Sequence, residues 1–326
     1  VVRAPHTARA ELSTVGTARQ WWLLFAVPTS LVGVAGGWAL ARPEDPSPSS
    51  AVRALCLILG SVVLGLAALG WWGRTDSRPL VQDANLWRLL TAVAGSWMAA
   101  EAVVFAMTAA EADALPLSGL TVGRFGAYVT DISAGRIDLA VFACTAAVTA
   151  WSLFAFRHPG ARLPVAVAVL TAFAIVARPV TGHMSQQVLG SVLDAVHALA
   201  AATWFGLLTA MALTLRSRGD WSRWLPRYSD GAVWCVCLLT LTGVVDAAVR
   251  LGGVSALTDT GYGRIVVAKA VVLAALLALG WWWRRTWVGR AAAHRMSADD
   301  SLRRAAVEVV AMAVAFGLAA ALATTA

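Results

Sequence analysis

The chain has 326 residues, 59% of them hydrophobic and 13% charged, with a mean hydropathy of +0.69. So little polar surface excludes a soluble protein of this size, and lipid is the solvent for most of the chain. The net charge of +8 does not indicate a nucleic-acid partner, because the arginines sit in short segments between apolar runs and not on a folded basic surface.

A bilayer core of about 30 Å needs roughly 20 apolar residues per helical crossing. Nine such stretches follow in chain order, near 21–41, 52–72, 88–110, 137–156, 163–178, 189–215, 231–251, 264–283 and 305–325. The sequence therefore predicts an all-α, polytopic integral membrane bundle of about nine transmembrane helices in a single membrane domain. Ala39-Leu40-Ala41 resembles a signal-peptide cleavage site, but the preceding run is longer than a signal core and is read as an uncleaved span. The segment Arg42 to Pro48 breaks the first pair of spans. The stretch Pro116 to Arg136, the longest outer connection, has room for a short surface helix.

Arginine placement orients the bundle. With the N-terminus cytoplasmic, alternate loops hold eighteen of the twenty-five arginines, which also puts the C-terminus outside. Trp21, Trp22, Trp71, Trp72, Trp87, Trp221, Trp224 and Trp281 to Trp283 fall at the cytoplasmic ends and read as an interfacial belt. Cys56, Cys144, Cys235 and Cys237 lie in apolar runs and indicate neither a disulfide framework nor a zinc module. Cys235 and Cys237, two residues apart, point to different helix faces.

Charge inside lipid costs about 2.5–3.5 kcal/mol on insertion scales, so each buried ionisable residue asks for a partner or a purpose. Glu101, Asp194, Asp246, Lys269 and Glu308 qualify. Asp194, Asp246 and Lys269 lie at similar depth on the sixth, seventh and eighth spans, which predicts an Asp246–Lys269 ion pair with Asp194 left to orient another group. Glu101 shares a face with Met98 near mid-membrane, where a metal or proton path could use it. His197 follows Asp194 by three residues on nearly the same face, so the carboxylate is expected to hold the imidazole tautomer. His183, in the short outer loop, together with His197 and Met184, makes a donor set suited to copper. His6, His158 and His294 fall in cytoplasmic segments.

Thr181-Gly182-His183, Asp194, His197, Trp204-Phe205-Gly206, Arg227-Tyr228-Ser229, Leu241-Thr242-Gly243-Val244-Val245, Tyr262-Gly263-Arg264 and Lys269, in this order, resemble the copper resistance protein D (CopD) family. The resemblance runs over about 178–325, the CopD-like core, and leaves 1–160 as variable N-terminal spans. It implies a multi-pass protein of the cytoplasmic (inner) membrane that takes a copper ion from the extracytoplasmic side and moves it across or into the membrane. It departs from the family pattern at Leu207, where a second glycine is common. No soluble copper domain is fused to either end, so a copper carrier is expected to be a separate extracytoplasmic protein.

The metal ligands expected are His183, His197 and Met184, supported by Asp194, Asp246, Lys269 and Glu101. No nucleotide-binding loop or soluble catalytic domain is visible, so the chain is expected to be neither an ATP-driven pump nor an enzyme. Two other readings remain at this stage. One is a haem-binding electron-transfer protein, since His183 and His197 are fourteen residues apart, although a matching histidine on a neighbouring span is missing. The other is a non-transporting copper sensor or scaffold.

Overall fold

The computed structural model describes residues 20–74, 83–180, 188–251 and 253–325. Among these, all regular structure is helical. A 3₁₀ turn, Gln20–Phe25, runs into α1 (Ala26–Ala41) and is followed by α2 (Ser49–Arg74), α3 (Asp83–Ala112), α4 (Val122–Asp131) and α5 (Ser133–Arg157). Then come α6 (Pro164–Val180), α7 (Val188–Thr214), α8 (Arg218–Leu251), α9 (Gly261–Trp283) and α10 (Ala298–Leu322). Eight helical segments are long and apolar enough to cross a bilayer, and α6, with 17 residues, is a shorter apolar helix between two of them. This is a multi-pass membrane protein, as the sequence predicts. The helix expected within Pro116 to Arg136 is α4, lying outside the spans and capped by the Thr121 side chain on Arg124 N.

Local sequence sets the ends. Thr260 caps α9 by accepting from Gly263 N at 3.0 Å, and Ser297 caps α10 by accepting from Asp300 N at 3.0 Å, with Asp299 and Asp300 in the first turn. The 34 residues of α8 extend about 51 Å, so its polar start, Arg218 to Arg227, projects beyond the roughly 30 Å hydrocarbon layer.

The bundle centre is α2, α7 and α10, the most buried spans, while α8 and α9 turn most of their surface outward. Two crossings are fixed by glycine. A Cβ on Gly206 of α7 would meet Ser61 O of α2 at 1.9 Å, and one on Gly65 would meet Gly206 O at 2.0 Å. Gly33 of α1 and Gly317 of α10 approach equally closely, with clashes at 2.3 Å to Val314 O and 1.9 Å to Ser30 O. Backbone contact of this kind lets helices associate in lipid, where no hydrophobic drive separates them from the solvent.

The tryptophans correct the expected belt. Trp21, Trp22, Trp71, Trp281 and Trp282 are exposed, as interfacial anchors should be. Trp87, Trp221 and Trp224 are instead fully buried: Trp224 stacks on Trp72 with centroids 6.2 Å apart, and Trp221 packs on Trp287 at 5.9 Å. Position near a helix end does not separate an anchor from a core aromatic, because the start of α8 packs on Trp72 at the end of α2 and on Trp287 just beyond α9.

Candidate functional site

His197, half-buried on α7, places Nδ1 2.8 Å from Thr242 Oγ1 of α8. Thr242 gives its one hydroxyl proton to Leu238 O at 2.7 Å, so its oxygen accepts from the imidazole. That assigns the proton of a neutral His197 to Nδ1 and leaves the Nε2 lone pair for another ligand. The ring also lies against Gly243, whose Cβ position is 3.6 Å from Cε1. Thr242, not Asp194, holds the tautomer, which corrects the expectation drawn from the three-residue offset.

Asp194 belongs to a charge cluster instead. Arg250 Nε lies 2.8 Å from Asp246 Oδ1, and Arg250 Nη2 lies 3.7 Å from Asp194 Oδ2. Tyr262 of α9 donates to Asp246 Oδ2 at 3.2 Å, and Arg250 lies over its ring at 5.6 Å. The expected Asp246–Lys269 pair is not formed: Lys269 interacts electrostatically with Asp246, Arg250, Asp194 and His197 but makes no direct ion pair among the described residues. Arg250 wins because it sits four residues after Asp246 on the same helix, so the pair needs no interhelical ordering. Two carboxylates and two cations make the cluster formally neutral. Beside it opens a pocket of about 350 Å³ whose walls include Glu44, Arg250, Tyr262 and Thr325.

Glu101 sits elsewhere, in a second polar network of the first six helices. Arg178 at the end of α6 bridges Glu101 Oε2 at 2.8 Å and Asp138 Oδ1 at 2.8 Å. Trp97 Nε1 donates to Glu101 Oε1 at 3.1 Å. Asp138 Oδ2 accepts from Thr108 at 2.8 Å and from Tyr128 of α4 at 2.9 Å. Burial pushes the Tyr128 phenol up to about 12; the Thr108 bond opposes the shift, and the adjacent Asp138 charge reinforces it. Both Glu101 oxygens are thus engaged within the protein, and Glu101 does not support the His197 site.

His183 and Met184 lie outside the described residues. Among the described residues no group of three or more His, Cys, Asp and Glu side chains converges as a metal cage, so His197 is the one expected ligand whose surroundings are defined. Its second-helix partner, its free Nε2 and the neighbouring charges of α8 and α9 lead directly into a stretch of recognisable sequence. The family model described as copper resistance protein D matches residues 222–322. Over this segment the chain is similar to the CopD family. Searches of curated proteins and of solved structures found no match.

The CopD match spans most of α8, all of α9 and α10, and begins after His197 and Asp194. It makes this part of the chain similar to a copper-related membrane family. Within it, the short motifs acquire physical work. Thr242 and Gly243 seat the His197 ring. In Tyr262-Gly263-Arg264, Tyr262 holds Asp246, Gly263 packs on Ala256 O, and Arg264 donates to Leu40 O at 2.8 Å and to Arg42 O at the end of α1. Before the match, Gly206 makes the crossing with α2. Sequence reasoning named Thr242 only within a motif, without its bond to His197, and missed Arg250, Arg178 and Asp138. The signal for the two arginines is their position: they are among only seven outside the arginine-rich loops.

Proposed function

We propose that this chain is a copper carrier of the cytoplasmic membrane, not an enzyme, taking copper from the extracytoplasmic side and moving it across or into the membrane. The observation that carries this reading is the 2.8 Å bond between His197 Nδ1 and Thr242 Oγ1, which leaves Nε2 for another ligand beside a segment similar to the CopD family. A neutral imidazole is a good copper ligand, and metal-binding histidines are oriented by a hydrogen bond from their other ring nitrogen, the part Thr242 takes here. His183 and Met184 complete the donor set in this proposal, as the nearest histidine and thioether in the sequence before α7.

The arginine bias supports a cytoplasmic N-terminus, which puts His197 in the half of α7 toward the outer face. Asp194, Asp246, Arg250 and Lys269 act as a charge-balanced wall beside the path. A separate extracytoplasmic protein delivers the ion. Neutral imidazole binds copper and imidazolium does not, so acidification weakens capture.

The test is anaerobic copper binding by elemental analysis of detergent-purified protein, followed by uptake into sealed vesicles. Wild type is expected to hold stoichiometric copper, His197→Ala to lose it, and His158→Ala to retain it. Equal behaviour of both variants would sink the assignment. Binding without accumulation in vesicles would favour the sensor or scaffold reading, and a haem absorption band would favour electron transfer.

A further inference from the structure

The CopD-matched helices bury one carboxyl that the copper reading leaves unused. Glu308 of α10 is 6% exposed, and its one hydrogen-bond donor among the described residues is Tyr228 of α8, 5% exposed, which donates to Glu308 Oε1 at 3.3 Å. Trp204 of α7, 7% exposed, brings a third helix to the spot. Its indole N–H lies beside the Tyr228 hydroxyl without an acceptor in bonding geometry among the described residues. The Cys235 thiol of α8 is also within electrostatic reach of Tyr228.

No cation balances this carboxyl among the described residues. Arg304, one turn before Glu308, instead covers the Trp283 ring at 4.9 Å and donates to Thr286 Oγ1 at 3.5 Å. Arg284 pairs with Asp230 at 2.7 Å, and Arg227 lies over Trp224 at 4.9 Å. Among the described residues no titratable group of α1, α2, α7 or α9 faces Glu308, and Tyr228 is its one titratable neighbour. An anion there would lack both water and a counter-ion, the costliest arrangement for a carboxylate in a membrane. Glu308 and Tyr228 each lie ten residues into their helices, roughly 15 Å from the helix starts.

We propose that Glu308 is a proton-binding site of the membrane bundle, holding a proton at rest and exchanging it with water at the arginine-rich face while Tyr228 stays bonded to it. In the step, the carboxyl O–H breaks and a hydronium O–H forms, with no electron transferred. The site does not depend on the copper reading, since it is observable in protein that never meets copper.

The test is infrared spectroscopy of the full chain in vesicles of phosphatidylethanolamine and phosphatidylglycerol, in H₂O and D₂O, as the pH is raised from acid to alkaline. The expected result is a protonated-carboxyl C=O band that shifts in D₂O, disappears on alkalinisation, is absent from Glu308→Gln and survives in the exposed control Glu111→Gln. Tyr228→Phe is expected to move the band to higher frequency by removing its hydrogen bond. This reads the site even if Glu308→Gln fails to fold. A band that neither exchanges nor titrates would make Glu308 a purely structural acid and overturn the proposal, as would no band at neutral pH or a band unchanged by both substitutions.

Discussion

His197 Nδ1 and Thr242 Oγ1, forty-five residues apart in the chain, lie 2.8 Å apart between α7 and α8. Thr242→Val keeps the shape and removes the acceptor, leaving the imidazole N–H unsatisfied at a cost of about 1–3 kcal/mol. Copper affinity of purified protein, measured by competition with a chromogenic chelator, is expected to fall about 10- to 100-fold. Thr242→Ser restores the acceptor and is expected to bind as wild type.

Arg178 carries a heavier structural role than its position at the end of a short helix suggests. It pairs with two buried carboxylates from α3 and α5 at once. Arg178→Met removes the direct ion-pair partner of both, and loss of one side of a buried ion pair costs about 3–5 kcal/mol. A large drop in the thermal unfolding midpoint in detergent is expected. Arg284→Met, which breaks an exposed pair with Asp230, is expected to change stability by at most about 1 kcal/mol. Equal midpoints for the two variants would remove Arg178 from this role.

The α2–α7 crossing tolerates no side chain. Gly206→Val places carbon atoms on the backbone of Ser61 and is expected to abolish recovery of monodisperse protein. Gly231→Ala, in α8 with open space around it, is expected to be neutral or stabilising by about 0.5–1 kcal/mol. Size-exclusion profiles of the two variants make the comparison.

Tyr128 offers a pH readout outside the spans. Its folded-state value of about 12 stands above the ordinary value of 10.0, so the fold favours the neutral phenol. The stability this contributes is fully present below pH 10 and is lost as pH rises through about 12, where the phenol ionises in the folded protein too. An alkaline ultraviolet titration of wild type minus Tyr128→Phe is expected to show a transition near 12, and a difference transition near 10 would show the phenol to be solvated.

Helix number and the presence of charge in the membrane were legible because both are properties of contiguous sequence. Partnership was not. Glu101 stands out in an apolar run, yet its cation, Arg178, lies at the far end of another span and resembles a loop arginine. Asp194 looked like the orienter of His197 because it is three residues away, whereas the actual bond crosses to α8. Trp87, Trp221 and Trp224 sit where lipid headgroup anchors sit, and only packing between helices reveals them as core. In each case the sequence names the group, and tertiary contact chooses its neighbour.

The Gly33–Gly317 contact makes α1 and α10 close neighbours although nearly the whole chain separates them. During synthesis α1 therefore enters the bilayer ahead of every other span described and waits there with its glycine face unmatched until α10 emerges. The α1–α10 contact forms only then. It follows that residues 222–322, although they carry the family signature, are not a detachable module: cut loose, α10 would leave behind the helix it was shaped to meet.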